Sequence, residues 1–139
     1  MKKLLFLSLA IILFSACKSG KTQDSNAYST SFKDQEYQLS KIEGNSVEDM
    51  NLKMKVTTEQ NSISGETGCN NYQFTYNLEG ENLDLGYGVA TKMYCQDNME
   101  TENALFSAAS KVKRFRQTNE ALFLLNKEGE VMLEAKAKK

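Results

Sequence analysis

Short runs of alternating apolar and polar residues are the feature that most constrains the fold of this chain. In the clearest run, Tyr72, Phe74 and Tyr76 alternate with polar residues. Such alternation predicts a β-strand with one buried face. The same pattern, or a short apolar run, predicts further strands around these positions: Tyr37, Leu39 and Ile42; Leu52, Met54 and Val56; Ile63, Ser64 and Gly65; Leu83 and Leu85; Val89, Thr91 and Met93; Ala121–Leu125; Val131 and Leu133.

The spacing changes from strand-like to helical at Asp97. Leu105, Phe106, Ala109 and Val112 follow at steps of three and four residues, which is typical of a helix that buries one face against a sheet. Asp97 or Asn98 could cap its start. Several short strands around one helix predict a small α+β or barrel-like domain.

The first seventeen residues resemble the signal of a bacterial lipoprotein. Lys2 and Lys3 precede an eleven-residue apolar run that ends in small residues before Cys17. The run is shorter than the roughly 17–25 residues of a membrane span, but it fits the apolar core of a signal peptide. We therefore expect cleavage before Cys17 and acylation, for instance with palmitate, at its sulfur. A plain secreted protein with Cys17 as a free thiol is the alternative.

These signals divide the chain into a signal peptide at 1–16, a polar and flexible tether at 17–34 that begins with the lipidated Cys17, and one domain at 35–137. Lys18 after Cys17 favours the outer membrane over the inner one.

The net charge of −1 argues against a nucleic-acid partner, and we expect a monomer. The basic run Lys111, Lys113, Arg114 and Arg116 indicates a solvated helix end, with an anionic partner as the alternative.

The residues give no support for an enzyme. The chain has no histidine, which removes the Ser-His-Asp and Cys-His mechanisms and histidine ligation of metals. We predict no catalytic residues, no metal and no cofactor. The Ser-x-x-Lys pattern at Ser110 and Lys113 is short enough to arise by chance, and the acid pairs Glu79/Glu81 and Glu100/Glu102 belong to a turn and a helix start.

Cys69 and Cys95 are the two cysteines that remain if Cys17 carries lipid. An even pair in an oxidising compartment favours a disulfide, which would close a loop of about 26 residues and stabilise the fold by ~3.5 kcal/mol. The alternative is two buried free thiols that pack as small apolar side chains.

Three motifs follow one another along the chain: Ile63-Ser64-Gly65-x-x-Gly68-Cys69-Asn70-x-Tyr72, Thr91-x-Met93-x-Cys95 and Glu102-x-x-x-Phe106. Together they resemble the META domain, also called the HslJ-like family, and the match runs from Tyr37 to Ala135. The resemblance implies a strongly curved antiparallel sheet, or cracked β-barrel, with one packed helix. It also implies an envelope lipoprotein linked to stress, without established catalytic residues. We expect the motif residues to have structural roles: Gly65, Gly68, Asn70, Tyr72, Thr91 and Met93.

Two functions stay open at this point. The first is a non-enzymatic envelope module that is anchored in the membrane through Cys17 and binds a protein or peptide partner. The second is a carrier, similar to the pilotin lipoproteins, that binds an apolar ligand or lipid tail in the mouth of the curved sheet. The side chains that could line such a cavity, or simply fill the core, are Tyr72, Phe74, Tyr76, Leu105 and Phe106.

Overall fold

The structure, a computed structural model, describes residues 28–93 and 99–138. These residues form ten strands and one helix. In chain order they are β1 Gln35–Ile42, β2 Asn45–Ser46, a 3-10 turn Glu48–Met50, β3 Lys53–Thr57, β4 Ser62–Glu66, β5 Asn71–Glu79, β6 Asn82–Leu85, β7 Val89–Ala90, α1 Met99–Ser110, β8 Arg114–Gln117, β9 Ala121–Leu125 and β10 Val131–Ala137.

The strands form one antiparallel sheet that curls into a nearly closed barrel. The order across the sheet is β6-β5-β4-β3-β1-β10-β9-β8, with β2 beside β1 and β7 beside β5. The first half of β5 pairs with β4 and its second half with β6. The Leu83 amide of β6 donates to the Lys113 carbonyl oxygen just before β8, at 2.8 Å, which links the two ends of the sheet. The predicted curved α+β sheet with one helix is confirmed.

Alternation along the strands decides which side chains fill the barrel. Tyr37, Leu39, Val56 and Ile63 are at most 1% exposed, whereas their neighbours along the strands are mostly polar. Helix α1 covers one side of this core with Leu105, Ala108 and Ala109. Burying a large apolar side chain stabilises a fold by about 1.5–3 kcal/mol, so this shared core accounts for most of the cohesion of the domain.

The sequence reasoning missed strand β8. Helix α1 ends at Ser110, and Arg114 and Arg116 lie in the strand that follows, on either side of the fully buried Phe115. The helix-end interpretation of the basic run is therefore wrong for these two arginines. A four-residue strand with one apolar position is too short to show its period.

The arm formed by residues 28–34 lies against the barrel, although the sequence analysis assigned it to the flexible tether. Phe32 is 8% exposed and stacks on Phe115, with ring centroids 3.8 Å apart, and it also contacts Tyr76. The Ser29 amide donates to the Phe115 carbonyl oxygen at 2.9 Å. Phe32 on Phe115, together with the Tyr28 ring under the Arg114 guanidinium, thus docks the arm beside β8. Within the described ranges, no helix is long and apolar enough to cross a membrane.

Candidate functional site

The motif residues converge on the side chain of Asn70, which follows the turn between β4 and β5. Its Oδ1 accepts hydrogen bonds from the Thr91 hydroxyl at 2.9 Å and from the Met93 amide at 2.8 Å. Its Nδ2 donates to the Met93 carbonyl oxygen at 3.2 Å and to the Glu102 carboxylate at 2.9 Å. Asn70 is only 6% exposed. One amide therefore joins three separate segments of the chain.

Thr67 completes this Asn70 network from the other side of the turn. It is fully buried, its amide donates to the Asn70 carbonyl oxygen at 2.8 Å, and its hydroxyl lies 3.2 Å from the Glu102 carboxylate. Gly68, inside this turn, has a φ of +87°, where a side chain would be strained. The structure thus gives the Gly-x-Asn and Thr-x-Met motifs a structural role, because they hold α1 and the segment after β7 against the sheet.

Cys69 lies at the same turn. Its Sγ is 4.0 Å from the carbonyl oxygen of Met93, two residues before Cys95 in the chain. Cys95 lies outside the described residues, as does Cys17, so the pairing of Cys69 with Cys95 and the acylation of Cys17 stay predictions.

Gly65 and Tyr72 form a second contact between motif residues. The Tyr72 hydroxyl donates to the Lys53 carbonyl oxygen at 3.1 Å, and burial raises the pKa of this phenol far above its ordinary value. A Cβ on Gly65 would stand 1.9 Å from that carbonyl oxygen and 2.6 Å from the hydroxyl. Only glycine at position 65 leaves room for the Tyr72 side chain to pass over β4 and reach β3.

The side chains proposed to line an apolar cavity belong to the core. The Tyr72 ring contacts Phe74 with centroids 5.7 Å apart, and Phe74 contacts Phe106 with centroids 5.0 Å apart. Leu105 is fully buried. Tyr76 contacts Phe32 in the docked arm. Of these five, only Tyr72 borders the cavity that Ser64 and Gly65 also line. Their arrangement matches the core-filling alternative of the sequence analysis.

That cavity is a groove of about 590 Å³ on the outer face of β3, β4 and β5. Its floor lies at Ser64 and Gly65, where the side chains are small or absent. One wall carries Lys53 and Lys55, and the other wall carries polar residues of β5 together with the exposed edge strand β7. The further lining residues that point outward or lie at the rim are Glu36, Glu66, Asn71, Gln73, Val89, Thr91 and Lys138.

The groove presents both charges and neutral hydrogen-bonding groups. The Lys53 ammonium lies 2.9 Å from the Glu66 carboxylate, and the Lys55 ammonium lies 3.8 Å from that of Glu36. Registry explains their proximity, because Lys53 is paired with Glu66 between β3 and β4, and Lys55 with Glu36 between β3 and β1. Sequence reasoning missed this groove, since its residues come together only through the pairing of five strands, β1, β3, β4, β5 and β7.

The other residues that the sequence analysis considered for catalysis or anion binding do not form a joint site, because each contacts a different neighbour. The Ser110 hydroxyl donates to the Ser107 carbonyl oxygen at 2.7 Å, while the Lys113 ammonium lies 2.9 Å from the Asp84 carboxylate, so the two do not form a catalytic pair. Lys111 pairs with Glu43 at 2.6 Å. The Arg114 and Arg116 guanidinium groups lie over aromatic rings, 4.8 and 5.0 Å from the centroids. In the described ranges, no three His, Cys, Asp or Glu side chains gather as metal ligands.

The fold and its signature network define a small antiparallel barrel with one helix, in which the motif residues fasten the helix to the sheet. The META domain family model matches residues 30–139, and the chain belongs to that family.

Two solved structures have a similar fold. A protein from Burkholderia xenovorans, determined by NMR, is 21% identical with a TM-score of 0.58, and the match covers 86% of this chain and 99% of that one. A second protein determined by NMR is 20% identical with a TM-score of 0.54, over 73% of this chain and 87% of that one. Among curated proteins none matches significantly. At these identities the two structures support the fold alone.

Proposed function

We propose that this META-domain protein is a non-enzymatic binding module of the cell envelope, anchored through acyl chains on Cys17. The groove over β3, β4 and β5 is the observation that carries the binding role. At about 590 Å³ it falls within the 300–1,000 Å³ of typical ligand sites. The expected address is the outer membrane, where the domain would act as a monomer, with a role in envelope stress.

A segment of protein or peptide is the partner that best fits this groove. Its walls are built on paired strands, so they are held in place before a partner arrives. The lining side chains Lys53, Glu66 and Gln73 offer a cation, an anion and an amide within one short stretch of surface. These groups complement the mixed side chains and backbone amides of an extended polypeptide.

The anchor is tested by metabolic labelling with palmitate and by membrane fractionation. The natural chain should carry label and sediment with outer membranes. Cys17→Ala should lose the label and leave the membrane fraction. Label-free natural protein, or an intact mass that shows unmodified Cys17, would contradict the anchor.

Binding in the groove is tested by site-specific photo-crosslinking in living cells. A photoreactive residue at Ser64, on the groove floor, should give one defined crosslinked protein. The same residue at Ser46, exposed on β2 and outside the groove, is the control. The identified partner, once purified, should bind the natural protein more tightly than it binds Ser64→Trp, while Ser46→Trp behaves like the natural protein. Equal binding by both variants would exclude the groove.

The carrier function has less support, because its candidate residues contact one another in the core. Native mass spectrometry of freshly purified protein tests it, since a co-purifying lipid would favour the carrier.

We also propose that Cys69 and Cys95 form a disulfide. The position of Cys69 Sγ, 4.0 Å from the Met93 carbonyl oxygen, supports this proposal because only one residue separates Met93 from Cys95. Peptide mapping without reduction should find the two cysteines in one linked peptide. Two separately alkylated cysteines would refute the pairing.

A further inference from the structure

Strand β7 is the second part of a strand that returns along β5. Its first part is β6, which pairs with the second half of β5, and residues 86–88 separate the two parts. Within this interruption the Gly86 amide donates to the Thr75 carbonyl oxygen at 2.9 Å. Among the described residues, no strand pairs with the other edge of β7. An open edge of this kind is a template for one more strand.

The hydrogen bonds to β5 show which backbone groups of β7 face the open edge. The Thr91 amide donates to the Asn71 carbonyl oxygen at 3.0 Å, so Thr91 turns its backbone toward β5. Successive residues of an antiparallel strand turn their backbone groups alternately toward and away from one neighbour. The amide and carbonyl groups of Ala90 therefore point away from β5. The ligand that matches such an edge is an extended polypeptide, whose own amides and carbonyls alternate in the same way.

Contacts at both ends hold β7 in place before a partner arrives. A Cβ on Gly88 would collide with the rings of Phe74 and Phe106, so the backbone before β7 lies directly on the core. After β7, the Met93 amide donates to the Asn70 side chain at 2.8 Å. An added strand would thus meet a preformed edge, and little binding energy would be lost in ordering it.

The side chains along this edge are apolar and exposed. Tyr87 is 101% exposed and Val89 is 66% exposed. Val89 is paired with Gln73 on β5, so its side chain lies on the outer face of the sheet, where it borders the groove. Open edges are usually protected by charged residues or proline, but only Lys92 carries a charge between Tyr87 and Met93. Apolar residues at an edge favour a neighbouring strand with apolar side chains opposite them.

We propose that β7 binds an extended segment of the partner protein as an added strand, with apolar side chains at alternate positions of that segment. The inference rests on the proposed function, because it takes the partner to be a polypeptide and adds how that polypeptide is held. Main-chain hydrogen bonds to Ala90 supply affinity, and side chains beside Val89 supply specificity. Those side chains stand at the wall of the groove, so one partner can contact both.

Amide hydrogen exchange tests the open edge in the free protein. The Thr91 amide is bonded to β5, whereas that of Ala90 faces the edge. We expect the Ala90 amide to exchange at least about tenfold faster than the Thr91 amide. Equal protection of the two amides would show that the edge is already covered and would overturn the inference.

Binding is tested with a synthetic fluorescent peptide that alternates valine and threonine, added to the purified protein up to millimolar concentration. The control peptide has the same residues with all the valines at one end. We expect the alternating peptide to bind more tightly and to slow exchange of the Ala90 amide. Equal binding of the two peptides, or no binding of either, would overturn the inference.

Variants of Ala90 show whether the backbone makes the contact. Ala90→Pro removes the outward amide, and proline is tolerated where an edge amide faces solvent. It should weaken binding of the alternating peptide by at least about tenfold, because it leaves a carbonyl of the peptide without a partner. Ala90→Ser keeps the amide and is the matched control, with binding like that of the natural protein. Equal binding by the two variants would overturn the inference.

Two further measurements keep the outcome clear. Circular dichroism checks that Ala90→Pro folds, and Val89→Asp, an exposed change that keeps every backbone amide, should also weaken binding. Crosslinking at Ser64 tests the proposed function separately. A partner captured at Ser64, together with a peptide that binds all variants equally, would leave the groove in place and overturn the added strand. Absence of any partner at Ser64 would count against the proposed function itself.

Discussion

Replacing Asn70 by alanine tests whether the family motif holds the fold together. The substitution removes the hydrogen bonds of the amide to the Thr91 hydroxyl, to both backbone groups of Met93, and to the Glu102 carboxylate. Each neutral bond contributes about 0.5–1.5 kcal/mol to stability, and a bond to a charged group contributes about 1.5–3. Water can reach some of the freed groups, so we expect a total loss of about 3 kcal/mol.

The assay is urea unfolding followed by circular dichroism, with thermal unfolding as a second measure. A domain of this size typically has a total stability of about 5–15 kcal/mol, so the loss should be obvious in both. It corresponds to a fall in Tm of about 12 °C. The matched control is Asn77→Ala, because the exposed Asn77 side chain has one hydrogen bond within the described ranges, to Glu79 at 3.4 Å. Its effect should stay below about 0.5 kcal/mol.

Asn70→Asp adds a test that depends on pH. The new carboxylate would lie beside the Glu102 carboxylate, and repulsion between them raises the pKa of the new group in the folded state. A raised folded pKa favours folding at low pH and disfavours it as the pH increases. The variant should therefore be least stable relative to the natural protein near neutral pH and should recover on acidification. A loss below about 1 kcal/mol for Asn70→Ala, or no recovery in acid for Asn70→Asp, would refute the assigned role.

Three further predictions concern the arm, the cysteines and one carboxylate. Phe32→Ala should cost about 3–4 kcal/mol in urea unfolding, as expected for a core aromatic residue, and a near-zero cost would show that the arm does not belong to the core. Reducing a Cys69–Cys95 disulfide should lower stability by up to ~3.5 kcal/mol, and identical urea midpoints with and without reductant would argue against it. The Thr58 amide donates a hydrogen bond to the Asp34 carboxylate and lowers its pKa, so the stability that this bond contributes is lost as the pH falls below 3.8. The urea midpoint of Asp34→Asn should therefore fall less in acid than that of the natural protein, and an equal fall in both would contradict this prediction.

The sheet was largely predictable because its alternating residues report which face is buried. Tyr72 and Phe74 are buried and Gln73 and Thr75 exposed, as a period of two requires. The helix was predictable for the same reason, since Leu105 and Ala109 are four residues apart and both buried. Strand β8 escaped prediction because a single apolar residue, Phe115, cannot establish a period.

The candidate site was not predictable, because it depends on how strands pair across long sequence separations. Nothing in the sequence indicates that Lys55 stands opposite Glu36 and Ser64 at once. The network of Asn70 was only partly predictable. A turn asparagine is expected to bond nearby backbone, but its bond to Glu102 crosses 32 residues and requires the helix to be in place.

The period of two also separates the structural residues of this domain from the residues available for function. Along β5, Tyr72 and Phe74 point inward and fix the packing of the barrel, while Asn71 and Gln73 point outward and line the groove. An outward residue can change without disturbing the core, because its inward neighbours bear the packing. Of the motif residues, Tyr72 points inward and Asn70 is buried in the turn before β5, whereas Thr91 and Met93 are exposed. The partner proposed for the groove should therefore be sought through these outward residues.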